Sequence, residues 1–173
     1  LAEERTWAFT RIFRRGQINA IDFLAAMIFF IFILVSFISL IDIQQKNNLV
    51  KLRQDRLLAA GTTIGDMLVE SGGVPENWET MGASSIQAIG LAASQNNLSA
   101  LKVNKFLATD YNTTKTLMGL PAVVDYHFMI TNASGSVLYQ SGINSSNYNI
   151  SFLFTRYVIW NGSAAWMRLR LYE

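Results

Sequence analysis

From Phe23 to Ile41 the chain runs for nineteen residues without a charge. At about 1.5 Å of rise per residue, a helix of that length covers roughly 28 Å, the thickness of a bilayer's hydrocarbon core. The run therefore predicts a single membrane-spanning helix. Arg5, Arg11, Arg14 and Arg15 precede it against only Glu3 and Glu4. That excess of positive charge favours a cytoplasmic N-terminus and an exported C-terminal part, in the cell membrane or at the cell surface. The total of 173 residues leaves room for one modest globular domain after the span. With no cysteine anywhere, that domain holds together by packing rather than by disulfides.

Beyond Ile41 the pattern becomes amphipathic. Ile43, Leu49, Val50, Leu52, Leu57, Leu58, Ile64, Met67 and Leu68 recur at helical spacing among polar and charged residues. No proline interrupts them, so the membrane helix is expected to continue as a stalk to about Val69, with Gly61 and Gly65 as the places for a bend. Gly72, Gly73 and Pro75 then end it. A second helix is expected over Ser99 to Tyr111, and the apolar stretch Ile86, Ile89, Gly90 and Leu91 fits either a strand or a turn.

From Pro121 the period changes to two. Val124, Tyr126, Phe128 and Ile130 alternate with Asp125, His127 and Met129, as in a half-buried strand. Asn132-Ala133-Ser134-Gly135 reads as a hairpin turn into Val137-Leu138-Tyr139, and Asn161-Gly162 as another between Ile150, Phe152, Phe154 and Ala165, Met167, Leu169, Leu171. The expected fold class is α+β: a long N-terminal helix, transmembrane in its first half and an extracytoplasmic stalk in its second, packed against a small sheet of about four antiparallel strands. The corresponding segments are a basic leader at 1–16, the helix at 17–70 and the extracytoplasmic domain at 71–173.

Little in the chain suggests catalysis. His127 is the only histidine, and without cysteine neither a zinc site nor a Cys/His nucleophile pair can form within one chain. It reads as a surface or capped structural residue. Glu76 and Glu79 lack partners for acid and base roles, and neither Ser71-Gly72-Gly73 nor Gly61 to Gly65 matches a phosphate loop. Trp7, Trp78, Trp160 and Trp166 could stack on sugars but fit core or rim packing better. Arg156, Arg168 and Arg170 share the last hairpin, where Arg168 and Arg170 alternate with core residues and mark its solvated face; clustered aromatics for a nucleic-acid site are lacking. Neither an enzyme activity, a metal, a cofactor nor a nucleic-acid partner is expected. Six N-x-Ser/Thr triplets, at Asn97, Asn112, Asn132, Asn144, Asn149 and Asn161, all follow the span, where chance would place about two, and point to a glycosylated surface.

The junction Arg14-Arg15-Gly16-Gln17-Ile18-Asn19-Ala20-Ile21-Asp22-Phe23-Leu24 resembles the class III signal of archaeal type IV pilin-like proteins. There a basic leader ends in glycine and is removed by a prepilin peptidase, leaving the apolar helix attached, unlike a secretory signal. The resemblance implies cleavage between Gly16 and Gln17 and a role for Asp22 in assembly with other pilin-like subunits, identical or different. The new amine on Gln17 of one subunit can neutralise the carboxylate of another as helices leave the lipid and form a filament core. Counted from Gln17, Asp22 is sixth, whereas the family usually has its acidic residue fifth; Ile21 holds that place, and the step turns the carboxylate by about 100° around the helix. Gly73-Val74-Pro75-Glu76-Asn77-Trp78 with Ile89-Gly90-Leu91-Ala92, and Arg156-Tyr157-Val158-Ile159-Trp160-Asn161-Gly162 with Leu169-Arg170-Leu171, resemble a loop and a terminal hairpin of the same proteins. The implied function is a major or minor subunit of a surface filament, serving adhesion or envelope attachment. The alternative is a single-span, membrane-anchored binding or sensor-type domain that does not polymerise.

Overall fold

The computed structural model describes residues 20–173, with the backbone of the first helix assigned from Glu3. That helix, α1, runs Glu3–Glu70 without a break. The chain divides into two compact units, one ending at Lys51 and one covering Leu52–Glu173. In the first, every described side chain is exposed, and the large apolar ones between Ile21 and Val50 are 41–70% exposed.

The second unit is built on the end of α1. Leu57, Ile64 and Leu68 form a buried stripe at the spacing of one helix face, and Val69 joins them. Gly61 lies on that stripe, and a Cβ there would overlap the ring of Phe154. The expectation of a bend at Gly61 gives way to a different role: it lets an aromatic ring lie directly on the helix backbone while the helix continues unbroken.

After α1 come β1 (Gly73–Val74), two short 3-10 turns at Trp78–Thr80 and Ala83–Ser85, then β2 (Ala88–Ile89), which pairs antiparallel with β1. The main sheet contains β3 (Ala92–Ser94), β4 (Asn97–Leu98), β5 (Asp125–Asn132), β6 (Val137–Gly142), β7 (Ser151–Trp160) and β8 (Ser163–Tyr172), in the order β3-β4-β7-β8-β5-β6. Both expected hairpins are present; β7 and β8 keep one register from Ser151↔Tyr172 to Trp160↔Ser163. The sheet nevertheless has six strands rather than about four, and it is mixed, because β4 runs parallel to β7. Strands of two or three residues such as β3 and β4 are too short for alternation to reveal.

The helix expected over Ser99 to Tyr111 is two: α2 (Ala100–Ala108) and α3 (Tyr111–Leu117). Asp110 explains the division, since its carboxylate accepts the amides of Asn112 and Thr113 and starts a new helix. The inner sheet face carries Tyr126, Phe128, Ile130, Met167, Leu169 and Leu171, all fully buried, and α2 contributes Val103 and Phe106. Phe106 meets Phe128 with ring centres 4.8 Å apart. The fold is thus α+β, with a long apolar N-terminal helix and a mixed, mostly antiparallel sheet.

Candidate membrane segment and surface sites

One helix among the described residues is long and apolar enough to cross a membrane, with a window of mean hydropathy 3.0 that is wholly exposed. A helix apolar on every side gains nothing from one-sided packing; lipid is the solvent that suits it. Asp22 sits at its start, exposed, next to Ile21 and Phe23, which are 65% and 69% exposed. Gly16 and Gln17, the expected cleavage positions, lie outside the described residues. At the C-terminal end of the apolar run Asp42 and Lys46 form an i,i+4 ion pair at 2.8 Å, with both side chains exposed.

The loop after α1 is a structural closure for the helix end. The last carbonyls of a helix lack partners within it. Here Leu91 N–H donates to Leu68 O at 2.9 Å, Asn96 N–H to Val69 O at 3.0 Å and Ala92 N–H to Ser71 O at 3.1 Å. Lys102, buried in α2, places its ammonium 2.7 Å from Gly72 O, complementing the negative end of the helix dipole. Trp78 is fully buried and its indole N–H donates to Gly90 O at 2.8 Å. Gly73, at φ +91°, and Gly90 leave space that a side chain would take from Trp78 and from Ser71 O respectively. The Gly73–Trp78 and Ile89–Ala92 motifs thus perform a packing task. Lys102 was not legible beforehand, because a lysine in an amphipathic helix reads as solvated.

The terminal hairpin splits its arginines. Arg168 and Arg170 lie on the outer sheet face, half-buried, whereas Arg156 lies on the inner face and donates through Nε to Asp66 Oδ1 on α1 at 2.8 Å. His127 is on the outer face too, but buried, and its Nδ1 has no hydrogen-bond partner. Burial first, then the charge of Arg170, holds its pKa below the ordinary value of 6.5 and favours the neutral ring. The histidine is therefore buried without a full set of caps. Glu79 is half-buried in the loop with one oxygen unpartnered, and Glu76 is exposed. Asp125 accepts from Tyr111 Oη at 2.6 Å and Lys115 Nζ at 2.9 Å; the phenol hydrogen bond, opposed by burial and aided by Lys115, holds the carboxylate pKa low. The phenol of Tyr111 is itself pushed up by burial and by Asp125.

The six asparagines occupy different settings. Asn112, Asn144, Asn149 and Asn161 are exposed. Asn132 is half-buried and its Oδ1 accepts from Ser136 N–H at 2.8 Å, holding its own turn. Asn97 is half-buried in β4, aligned with Ile159 of β7. A cleft of about 220 Å³ lies between Arg53, Arg56, Leu57 and Ala60 of α1 and Pro121, Val123, Val124 and Glu173. Among the described residues no three histidine, aspartate or glutamate side chains gather as a metal site. The chain matches no protein-family model, no curated protein and no solved structure.

Proposed function

We propose that the chain is a structural subunit, major or minor, of an archaeal type IV pilus-like surface filament that serves adhesion or envelope attachment. It is matured by a prepilin peptidase cutting between Gly16 and Gln17. The observation that carries this reading is the continuity of α1: the apolar run and the stripe that underlies the sheet belong to one helix, Glu3–Glu70. A tethered binding domain would do better with a flexible linker between span and domain. The second support is the arrangement of polarity, basic before the span and rich in N-x-Ser/Thr triplets after it.

In this reading the exposed apolar helix is stable in lipid before assembly and against its copies afterwards. Asp22, exposed at the start of the run, is the carboxylate that the Gln17 amine of a neighbour neutralises. Its sixth position favours the second reading, a pilin-like protein that stays anchored without polymerising, because Ile21 occupies the usual place. Surface material from the producing organism decides between them. N-terminal sequencing should begin at Gln17, and Asp22→Asn should reduce filament yield. A terminus upstream of Gln17 rules out the maturation step. Cleaved protein that remains wholly in the membrane fraction favours the anchored form.

A further inference from the structure

The outer sheet face carries Thr155, Arg168 and Arg170 along its middle but turns apolar toward the β7–β8 turn. Leu153, Tyr157, Ile159 and Trp166 are 51%, 53%, 40% and 38% exposed, and the Tyr157 and Trp166 rings meet edge to face at 5.5 Å. Val158 and Trp160 between them point into the core, so the alternation is intact and all four lie on the outer face, with Tyr157, Ile159 and Trp166 adjacent and Leu153 set apart beside Arg170. A cluster of this kind is a surface that a partner or cover would suit.

The register names a cover of stated chemistry. Asn97 of β4 is aligned with Ile159 in a parallel pair, so both side chains stand on the same, outer face. Leu98, next in the strand, is buried, which fits the same alternation. Tyr157 is two residues along β7 from Ile159 and is paired with Trp166. With strands about 4.8 Å apart and about 6.6 Å between alternate residues, Asn97 and Tyr157 lie about 8 Å apart along the sheet diagonal. Asn97 begins a glycosylation triplet closed by Ser99. Its five counterparts do not share this setting: Asn132 is held in its own turn on the inner-face register and Asn161 is at a hairpin tip, while Asn112, Asn144 and Asn149 lie outside the strands.

We infer that an N-linked glycan on Asn97 folds back over the outer sheet face, its first sugars stacking on Tyr157 and Trp166 and covering Ile159. The apolar C–H faces of a pyranose match an aromatic ring, and the sugar hydroxyls return a solvated surface to the patch. The inference rests on the proposal that this unit is extracytoplasmic, and its test separates the two.

The full chain is produced in an N-glycosylating archaeal host, and occupancy of each triplet is read by glycopeptide mass spectrometry. Hydroxyl-radical footprinting then reads Tyr157 and Trp166 individually. Ser99→Ala removes the triplet while leaving Asn97 in place, and Ser99→Thr retains it. Ser99 opens α2 without a side-chain capping bond, so neither change threatens the fold. Asn97 should be occupied, and labelling of Tyr157 and Trp166 should rise several-fold in Ser99→Ala but not in Ser99→Thr. A bare Asn97 overturns the inference whether or not other triplets are occupied, while occupancy of any triplet after the span leaves the exported orientation standing. An occupied Asn97 with unchanged labelling in Ser99→Ala also overturns it. Protection that arises only on assembly, equal in both variants, assigns the patch to a second copy and overturns it as well.

Discussion

The first and last parts of α1 are both rich in aliphatic residues, yet they are dressed for different solvents. Up to Lys51 every described side chain is exposed, including the aromatic run Phe29, Phe30 and Phe32 at 63–70%. From Leu52 on, one stripe is buried to 5% or less at Leu57, Ile64 and Leu68, while Arg53, Gln54 and Arg56 stay in water. One helix therefore holds an all-round apolar stretch, which suits hydrocarbon, and a one-sided stretch, which suits a protein core. Helix propensity does not distinguish them; the breadth of the apolar face does.

The same truncation made in both stretches should separate them by the largest margin. Leu68→Ala, at a fully buried position, should cost about 3 kcal/mol of unfolding free energy, read from the denaturant midpoint of the sheet unit. Leu34→Ala, 44% exposed, should leave that midpoint unchanged. A loss at both positions would mean that the span is packed like the stripe. Next in size is Leu34→Arg, which should cost about 3 kcal/mol of membrane insertion and appear as protein extractable by alkaline carbonate, with the sheet unit still folded.

A smaller contrast uses two glycines four residues apart. Gly61→Ala should destabilise by about 1 kcal/mol, because the overlap with Phe154 outweighs the gain in helix propensity. Gly65→Ala should stabilise by up to about 1 kcal/mol, since the nearest atom to its new methyl is Phe154 Cβ at 4.0 Å. Phe154→Leu should relieve the first penalty. Equal effects at both glycines would remove the seat assigned to the ring.

The smallest effect is in pH. The folded pKa of His127 lies below the 6.5 of the free imidazole, held there by burial and by Arg170, against a hydrogen bond donated to Gln140 that raises it. The unfolded chain therefore takes up the proton first on acidification. The stability this represents is full above 6.5 and is lost as pH falls toward the folded value. A denaturant midpoint that drops between about pH 7.5 and 5.5, and drops less in His127→Gln, is the expected outcome. Asp125, whose pKa is lowered chiefly by Tyr111, contributes its own loss at lower pH, in the carboxylate range.

Long periodic segments were readable from the chain, and short ones were not. The helix end near Val69, the strands at Val124–Ile130 and Ile150–Phe154, and both hairpin turns carry enough residues for a period to declare itself. The pairing of β4 with β7 joins residues more than sixty positions apart through a single aligned pair, and no local pattern records it. Asp110 was overlooked as a cap because Tyr111 could continue the apolar face of α2, although an aspartate followed by Asn112-Thr113-Thr114 is a helix-start signal. The inward turn of Arg156 depends on Asp66 lying opposite, a tertiary fact. The patch formed by Tyr157, Ile159 and Trp166 was equally hidden, since each residue alone reads as ordinary strand. The proposed signal at Gly16, Gln17 and Asp22 is a matter of motif, which folding does not require.

Whether one helix meets two solvents is open to direct measurement because the chain contains no cysteine. Single spin labels at Phe30→Cys, Gln54→Cys and Leu57→Cys, in unassembled protein reconstituted into liposomes, report collisions with oxygen and with a chelated nickel ion. High oxygen and low nickel access is expected at 30, high nickel access at 54, and low access to both at 57. Nickel access at 30 equal to that at 54, or oxygen access at 30 as low as at 57, would contradict that expectation.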